Sequence, residues 1–206
     1  MSKIKYIFIL LLLTTTCCFA QKVTQQTFSI YEIDEIRINT DKIFQLNIRN
    51  TNDDVIKIET KMEGEYFRDL NIITATKNKQ IQISCELAEG FEIPNDKLSA
   101  HKVFSVVMNI YIPKKLKVQL EGDGTQVHIQ GAYKRFLGIL ISGNFTLSDF
   151  ISEAEIQTKK GNIRYNYKNM PHLETNSEQH IIFYQSGKKI ELKADNGKIT
   201  YSADKA

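Results

Sequence analysis

Apolar and polar residues alternate along most of the chain, which predicts strands that each bury one face. Ile36 and Ile38 give a short example, and the longest alternating run extends from Phe104 to Ile112 before Pro113. Asparagine, aspartate and glycine separate the runs, as expected for turns between strands. The pattern therefore predicts a protein built from many short strands.

A helical pattern is present only at 63–70, where it lasts about one turn. No stretch rich in proline, glycine or serine divides the chain. We therefore predict one domain over residues 21–206, following a leader at 1–20.

A short motif recurs within 118–203. In each copy, a glycine or a polar residue at a corner precedes two apolar residues at alternate positions. The corner positions are 18 residues apart: Thr125, Gly143, Gly161, Gln179 and Gly197. A fixed period of this kind is typical of a solenoid. We therefore predict an all-β, single-domain β-solenoid, or β-helix, with about 18 residues per coil and an irregular N-terminal half.

The repeat also predicts which side chains stack on one another. Ile163 should lie between Phe145 and Ile181, with Ile199 beyond, and Arg164 should point to solvent. Two arrangements stay open for 23–112, which forms either outer coils or a capping sheet.

The leader 1–20 has a basic start, an apolar run at 6–13 and a small residue, Ala20, at its end. This three-part pattern predicts a signal peptide and an exported protein in the periplasm, at the cell surface or secreted. A lipoprotein acylated at Cys17 or Cys18 is the weaker alternative. No later stretch is apolar for long enough to predict a transmembrane segment.

The charge balance argues against nucleic acid as a partner. The chain has 27 basic and 24 acidic residues, and removal of the leader with Lys3 and Lys5 leaves 25 basic residues. Binding to nucleic acid usually needs a strong excess of positive charge. The one cysteine beyond the leader, Cys85, lies on the apolar side of its strand, which favours a buried hydrophobe over a reactive thiol.

No motif predicts catalysis, a cofactor or a metal ion. The four histidines share no ligand spacing with cysteine or acids, and no paired carboxylates recur on one face. We therefore predict no catalytic, cofactor-binding or metal-binding residue and no enzyme activity. The alternative, a polysaccharide lyase or hydrolase, would need acids stacked beside an arginine such as Arg164.

Two surfaces are candidates for binding a partner. The first is the interruption at 88–102, with Phe91, Asp96, Lys97 and His101, whose alternative interpretation is a solvated loop. The second is a basic flank that could bind anionic glycans, whose alternative interpretation is a solvated strand face. The flank consists of Lys160, Arg164, Lys188 and Lys189.

The run Ile110–Val118, followed by the corners Ser142-Gly143-Asn144 and Lys160-Gly161-Asn162, resembles the bacterial "putative adhesin" domains. These are exported domains of unknown function of Bacteroidetes type, described as head domains of autotransporter adhesins. The resemblance covers roughly 30–203. It implies a right-handed β-solenoid outside the cytoplasm, with no established catalytic residues.

We therefore expect an exported, non-catalytic module of the cell envelope with a structural or adhesin-like binding role. Its partner would be an envelope protein or a glycan. Two alternatives remain: the glycan-active enzyme described above, and an accessory protein in envelope stress or signalling. Because one fold can serve many functions, these roles are distinguished by the residues on the surface and not by the fold.

Overall fold

The computed structural model describes residues 21–91 and 104–203. This part of the chain is built from strands, with one 3-10 helix at Phe67–Asp69, and the fold is all-β. The strands are β1 (Gln21–Ser29), β2 (Glu35–Asn39), β3 (Gln45–Thr51), β4 (Val55–Gly64), β5 (Leu70–Lys77), β6 (Gln80–Leu87), β7 (Phe104–Pro113), β8 (Lys117–Gly122), β9 (Thr125–Gln130), β10 (Arg135–Ser148), β11 (Ala154–Lys160), β12 (Ile163–Tyr167), β13 (His172–Asn176), β14 (His180–Gln185), β15 (Lys188–Asn196) and β16 (Ile199–Ala203). The leader lies outside the described residues.

The strands form one continuous sheet that curls into an open half-barrel. One part, here called arm A, has the order β1-β4-β7-β3-β9-β10-β12-β16. The other part, arm B, has the order β5-β6-β2-β8-β10-β11-β15-β14-β13. The 14-residue strand β10 belongs to both arms, because its first half pairs in arm B and its second half in arm A.

The apolar positions of the alternating pattern meet between the two arms. Ile36 and Leu46 are fully buried. Aromatic rings connect the arms, since Phe183 of β14 lies 5.2 Å from Tyr165 and 5.3 Å from Tyr201, measured between ring centroids. Burial of this apolar surface is the main favourable contribution to folding.

The chain bends between the arms at corners where backbone passes close to backbone. Gly143 has a φ of +120°, and a Cβ at this position would lie 2.2 Å from the carbonyl oxygen of Thr125. Only glycine accepts both this φ and this close approach. At Gly161, a Cβ would likewise meet the carbonyl oxygen of Gly143.

The predicted regular right-handed β-solenoid, with 18-residue repeats, is wrong. The curled sheet mixes parallel with antiparallel pairs, and its strand order does not follow the chain, because β3 lies between β7 and β9. The two arrangements proposed for 23–112, outer coils or a capping sheet, do not describe this region either. β2, β3, β6 and β7 pair in parallel within the arms, whereas β1, β4 and β5 pair with neighbours in antiparallel fashion.

The fourth copy of the motif departs furthest from the predicted stack. The 18-residue offset joins Val127 to Phe145 and Phe145 to Ile163. Ile163 then pairs directly with Ile199, so Ile181 is not its neighbour. Ile181 lies in β14, which is antiparallel to both β13 and β15 in arm B. The predicted column of side chains is therefore wrong at this position.

Candidate functional site

Most of the predicted partner-binding loop lies outside the described residues, including Asp96, Lys97 and His101. Phe91 is described, and its ring packs against Tyr66 with 5.3 Å between the ring centroids. The part of the loop that the structure describes is thus attached to the body of the protein by an aromatic contact. Its role in binding stays a prediction.

The residues of the predicted basic flank lie on different parts of the sheet. Arg164 projects outward from arm A, whereas Lys160, Lys188 and Lys189 belong to arm B. Lys188 donates a hydrogen bond to the carbonyl oxygen of Ile151 at 3.3 Å. The structure therefore does not bring the four residues together on one surface.

Lys189 also has an acidic partner nearby. The carboxylate of Glu191 accepts hydrogen bonds from Lys189 at 2.8 Å and from Lys193 at 2.7 Å, and it contacts His180 at 3.0 Å. Bonding to Lys189 and then to Lys193 and His180 lowers the pKa of Glu191 to about 2. The carboxylate of Glu191 offsets part of the charge of the two lysines, which leaves less positive charge available to a ligand.

A different surface, on arm A, carries a continuous set of polar groups. We define the polar face as the outward side of five adjacent strands: β3, β9, residues 143–148 of β10, β12 and β16, together with Lys198, which directly precedes β16. Alternation directs polar side chains outward from each strand while the apolar ones fill the core. Its central row runs across the strands through Asn47, His128, Thr146, Arg164 and Thr200.

Amide side chains connect the strands of the polar face. Asn144 donates to the Gln126 side chain at 2.9 Å, and its own oxygen accepts the backbone N–H of Asn162 at 2.7 Å. The Asn162 side chain in turn accepts the backbone N–H of Lys198 at 2.9 Å. These bonds fix the positions of groups that can also interact with a ligand, because each amide has several donor and acceptor sites.

Two open clefts cross the polar face and share Thr146. One has a volume of about 230 Å³ and is lined by residues that include Asn47, Arg49 and His128. The other has a volume of about 430 Å³, with Arg164 and Lys198 among its lining residues. Together they form a polar groove across the width of several strands.

The imidazole of His128 contributes hydrogen-bonding groups to this groove without adding charge at neutral pH. Desolvation lowers the pKa of His128 from 6.5. The neutral ring offers one donor and one acceptor. His128 points outward because the alternation of β9 buries its neighbours Val127 and Ile129, and its place in a groove was not predicted from the sequence.

Within the described residues, no group of three or more histidine, cysteine, aspartate or glutamate side chains could hold a metal ion. Cys85 is buried, as predicted, and burial raises the pKa of its thiol to about 11. Asp149, at a corner where its φ is +49°, forms an ion pair with Lys168 at 2.7 Å.

No family model matches the chain, and no curated protein matches it. Several solved structures are similar to this chain. A "putative cell adhesion protein" from Clostridium sporogenes is 14% identical, with a TM-score of 0.60, over 89% of this chain and all of that one. A "putative adhesin" and a "putative lipid binding protein" from Parabacteroides distasonis are 15% and 10% identical, both with TM-scores of 0.34. They cover 71% and 72% of this chain, and 69% and 70% of their own.

The resemblance to adhesin domains is confirmed, since the Clostridium structure, with its TM-score of 0.60, carries a cell adhesion name. At such low identity, the Clostridium protein shows a shared fold and nothing further about this chain's ligand. Within the described residues, no helix is both long and apolar enough to cross a membrane.

Proposed function

We propose that this protein is an exported, adhesin-like binding module of the cell envelope that holds an external partner on its polar face. The observation that carries the proposal is the groove through Asn47, Thr146 and Arg164, in which hydrogen-bonding groups are supplied by five adjacent strands. Side chains on paired strands are held in place by the sheet, so the surface is organised before a ligand arrives.

The shape of the groove supports a binding role over catalysis. The two clefts are open and adjoin one another at Thr146, which suits an extended ligand lying across the strands. Hydrolysis of a polysaccharide generally uses two carboxyl groups on either side of the bond that is cleaved. On the polar face of the described strands, Arg164 has no such pair beside it.

Two substitutions test this function. Thr146→Trp places a bulky ring where the clefts meet, and Gln119→Trp places the same ring on β8 in the outward face of arm B. Both proteins would be incubated with bacterial envelope fractions and with an array of immobilised glycans. We expect the original protein to be retained, Thr146→Trp to reduce retention at least fivefold, and Gln119→Trp to bind as the original does.

The proposal fails if the original protein is retained by neither the envelope fractions nor the glycans. It also fails if Gln119→Trp reduces retention as much as Thr146→Trp, because the ligand would then not distinguish the two arms. Thermal unfolding of both variants establishes that they are folded.

A further inference from the structure

The distribution of charge on the polar face leads us to propose that its ligand is an anionic polysaccharide, one that carries carboxylate or sulfate groups along the chain. This inference rests on the proposed function and specifies the ligand of the same surface. Three cationic side chains, Arg49, Arg164 and Lys198, line the two clefts.

The polar face contains cations without acids. On the described strands β3, β9, β12 and β16, and on residues 143–148 of β10, no outward position is aspartate or glutamate. Among the described residues, Arg49, Arg164 and Lys198 have no ion-pair partner. Their charge is therefore available to a ligand, and guanidinium groups form strong paired hydrogen bonds with carboxylates.

The surfaces around the polar face are different, because carboxylates lie among their cations and several of these charges form ion pairs. On β4, Lys57 contacts Glu59 at 2.6 Å, and Lys61 contacts Glu63 at the same distance. On arm B, Arg37 bonds to Glu35 at 2.9 Å. An anionic chain would meet compensating carboxylates there, whereas it meets none on the outward side of the five strands of the polar face.

The spacing of the cations suits a repeating ligand better than a single small anion. Arg49 lies on β3 and Arg164 on β12, with β9 and β10 between them. Three strand spacings amount to about 14 Å. Lys198 precedes β16, one strand further. Arg49 is therefore too far from Arg164 and Lys198 for all three cations to converge on one phosphate, but the three can meet successive anionic groups of one chain.

The groups between the cations match the remainder of a sugar chain. Asn47, Gln126, Asn144 and Thr146 present amide and hydroxyl groups along the groove, and these can both donate to and accept from sugar hydroxyls. No phenylalanine, tyrosine or tryptophan side chain projects from the polar face of the described strands, so the imidazole of His128 is the one ring there on which a base of a single-stranded nucleic acid could stack. The face also lacks the exposed apolar side chains that insert into a bilayer.

The test compares dextran sulfate with dextran, which differ in the anionic groups they carry, and adds polygalacturonate as a carboxylated chain. Binding of the protein from Gln21 onward would be measured by calorimetry at low and moderate salt. We expect both anionic chains to bind at least tenfold more tightly than dextran, with an affinity that falls as salt rises.

Two triple variants of equal charge locate the binding. Arg49→Gln, Arg164→Gln and Lys198→Gln remove the cations of the polar face. Lys117→Gln, Arg135→Gln and Lys159→Gln remove three exposed cations from arm B. The first triple variant should lose at least tenfold in affinity for dextran sulfate, and the second less than twofold.

The inference is overturned if both triple variants lose affinity equally, or if dextran binds as tightly as dextran sulfate. It is also overturned if oligothymidylate or phosphatidylglycerol vesicles bind more tightly than both anionic polysaccharides. Retention of the first triple variant by envelope material, at the level of the original protein, would overturn the anionic ligand while leaving the proposed function intact. If the envelope material retains none of the original protein, the result contradicts the proposed function itself.

Discussion

At the residue scale, Ile163 and Arg164 are consecutive in β12 and have opposite surroundings. Ile163 is fully buried between Phe145 and Ile199, whereas Arg164 is exposed on the polar face. The alternation in the sequence predicted this difference correctly, because successive side chains of any strand point to opposite faces, whichever strand it pairs with. The 18-residue period correctly predicted Phe145 as one neighbour of Ile163, but it gave Ile181 in place of Ile199 as the other, since pairing depends on contacts distant in sequence.

The two positions give a paired stability test. Ile163→Asp places a carboxylate among apolar side chains and removes their contacts, so we expect a loss of at least about 3 kcal/mol in the free energy of unfolding. Arg164→Asp changes an exposed side chain and should cost less than about 0.5 kcal/mol. Denaturant unfolding measures both. Equal losses would mean that the assigned faces of β12 are wrong.

At the element scale, the fourth copy of the motif shows where a period fails to define a fold. Gln179, Ile181 and Phe183 follow the repeat, yet β14 belongs to an antiparallel arrangement with β13 and β15. The alternation of apolar residues is the same in parallel and antiparallel strands. One residue in the sequence indicates that the fourth copy departs from the others. Gln179 occupies the position at which most other copies have a glycine that permits the close corner.

Crosslinking tests the pairing of β12 with β16. Arg164 and Thr200 are direct partners in the parallel register, so a pair of cysteines at these positions should be joined by a short thiol-reactive crosslinker. Arg164→Cys combined with Ile182→Cys should not be joined, because β14 lies in arm B. Buried Cys85, with its raised pKa, should not compete. Preferential joining of positions 164 and 182 would contradict the strand order.

The charge cluster on β15 predicts a response to acid. Because the pKa of Glu191 falls from 4.5 to about 2 on folding, this carboxylate stabilises the fold fully above pH 4.5. The contribution is lost as pH decreases from 4.5 toward 2. Melting temperatures across this range should decline less steeply in Glu191→Gln than in the original protein. Glu153→Gln, an exposed loop substitution, is the control and should decline as the original does; equal slopes in Glu191→Gln would contradict the role of the cluster.

At the scale of the whole molecule, binding properties depend on the order of strands in arm A. Arg164 was a candidate in the sequence, but Arg49 was not, because it is 115 residues away from Arg164 along the chain. The sheet places β3 beside β9 and β16 beside β12, which brings all three cations to one face. Long-range pairing of this kind leaves no local sequence signal, so the site could not be predicted before the fold.

The most direct test of our account is to map where dextran sulfate contacts the protein, using backbone amide shifts in NMR spectra recorded during a titration. We predict that the largest shifts fall on β3, β9, residues 143–148 of β10, β12 and β16, with the greatest changes near Arg49, Arg164 and Lys198. Shifts concentrated on the outward side of arm B, or on residues 92–103, would contradict the assignment of the polar face as the binding surface.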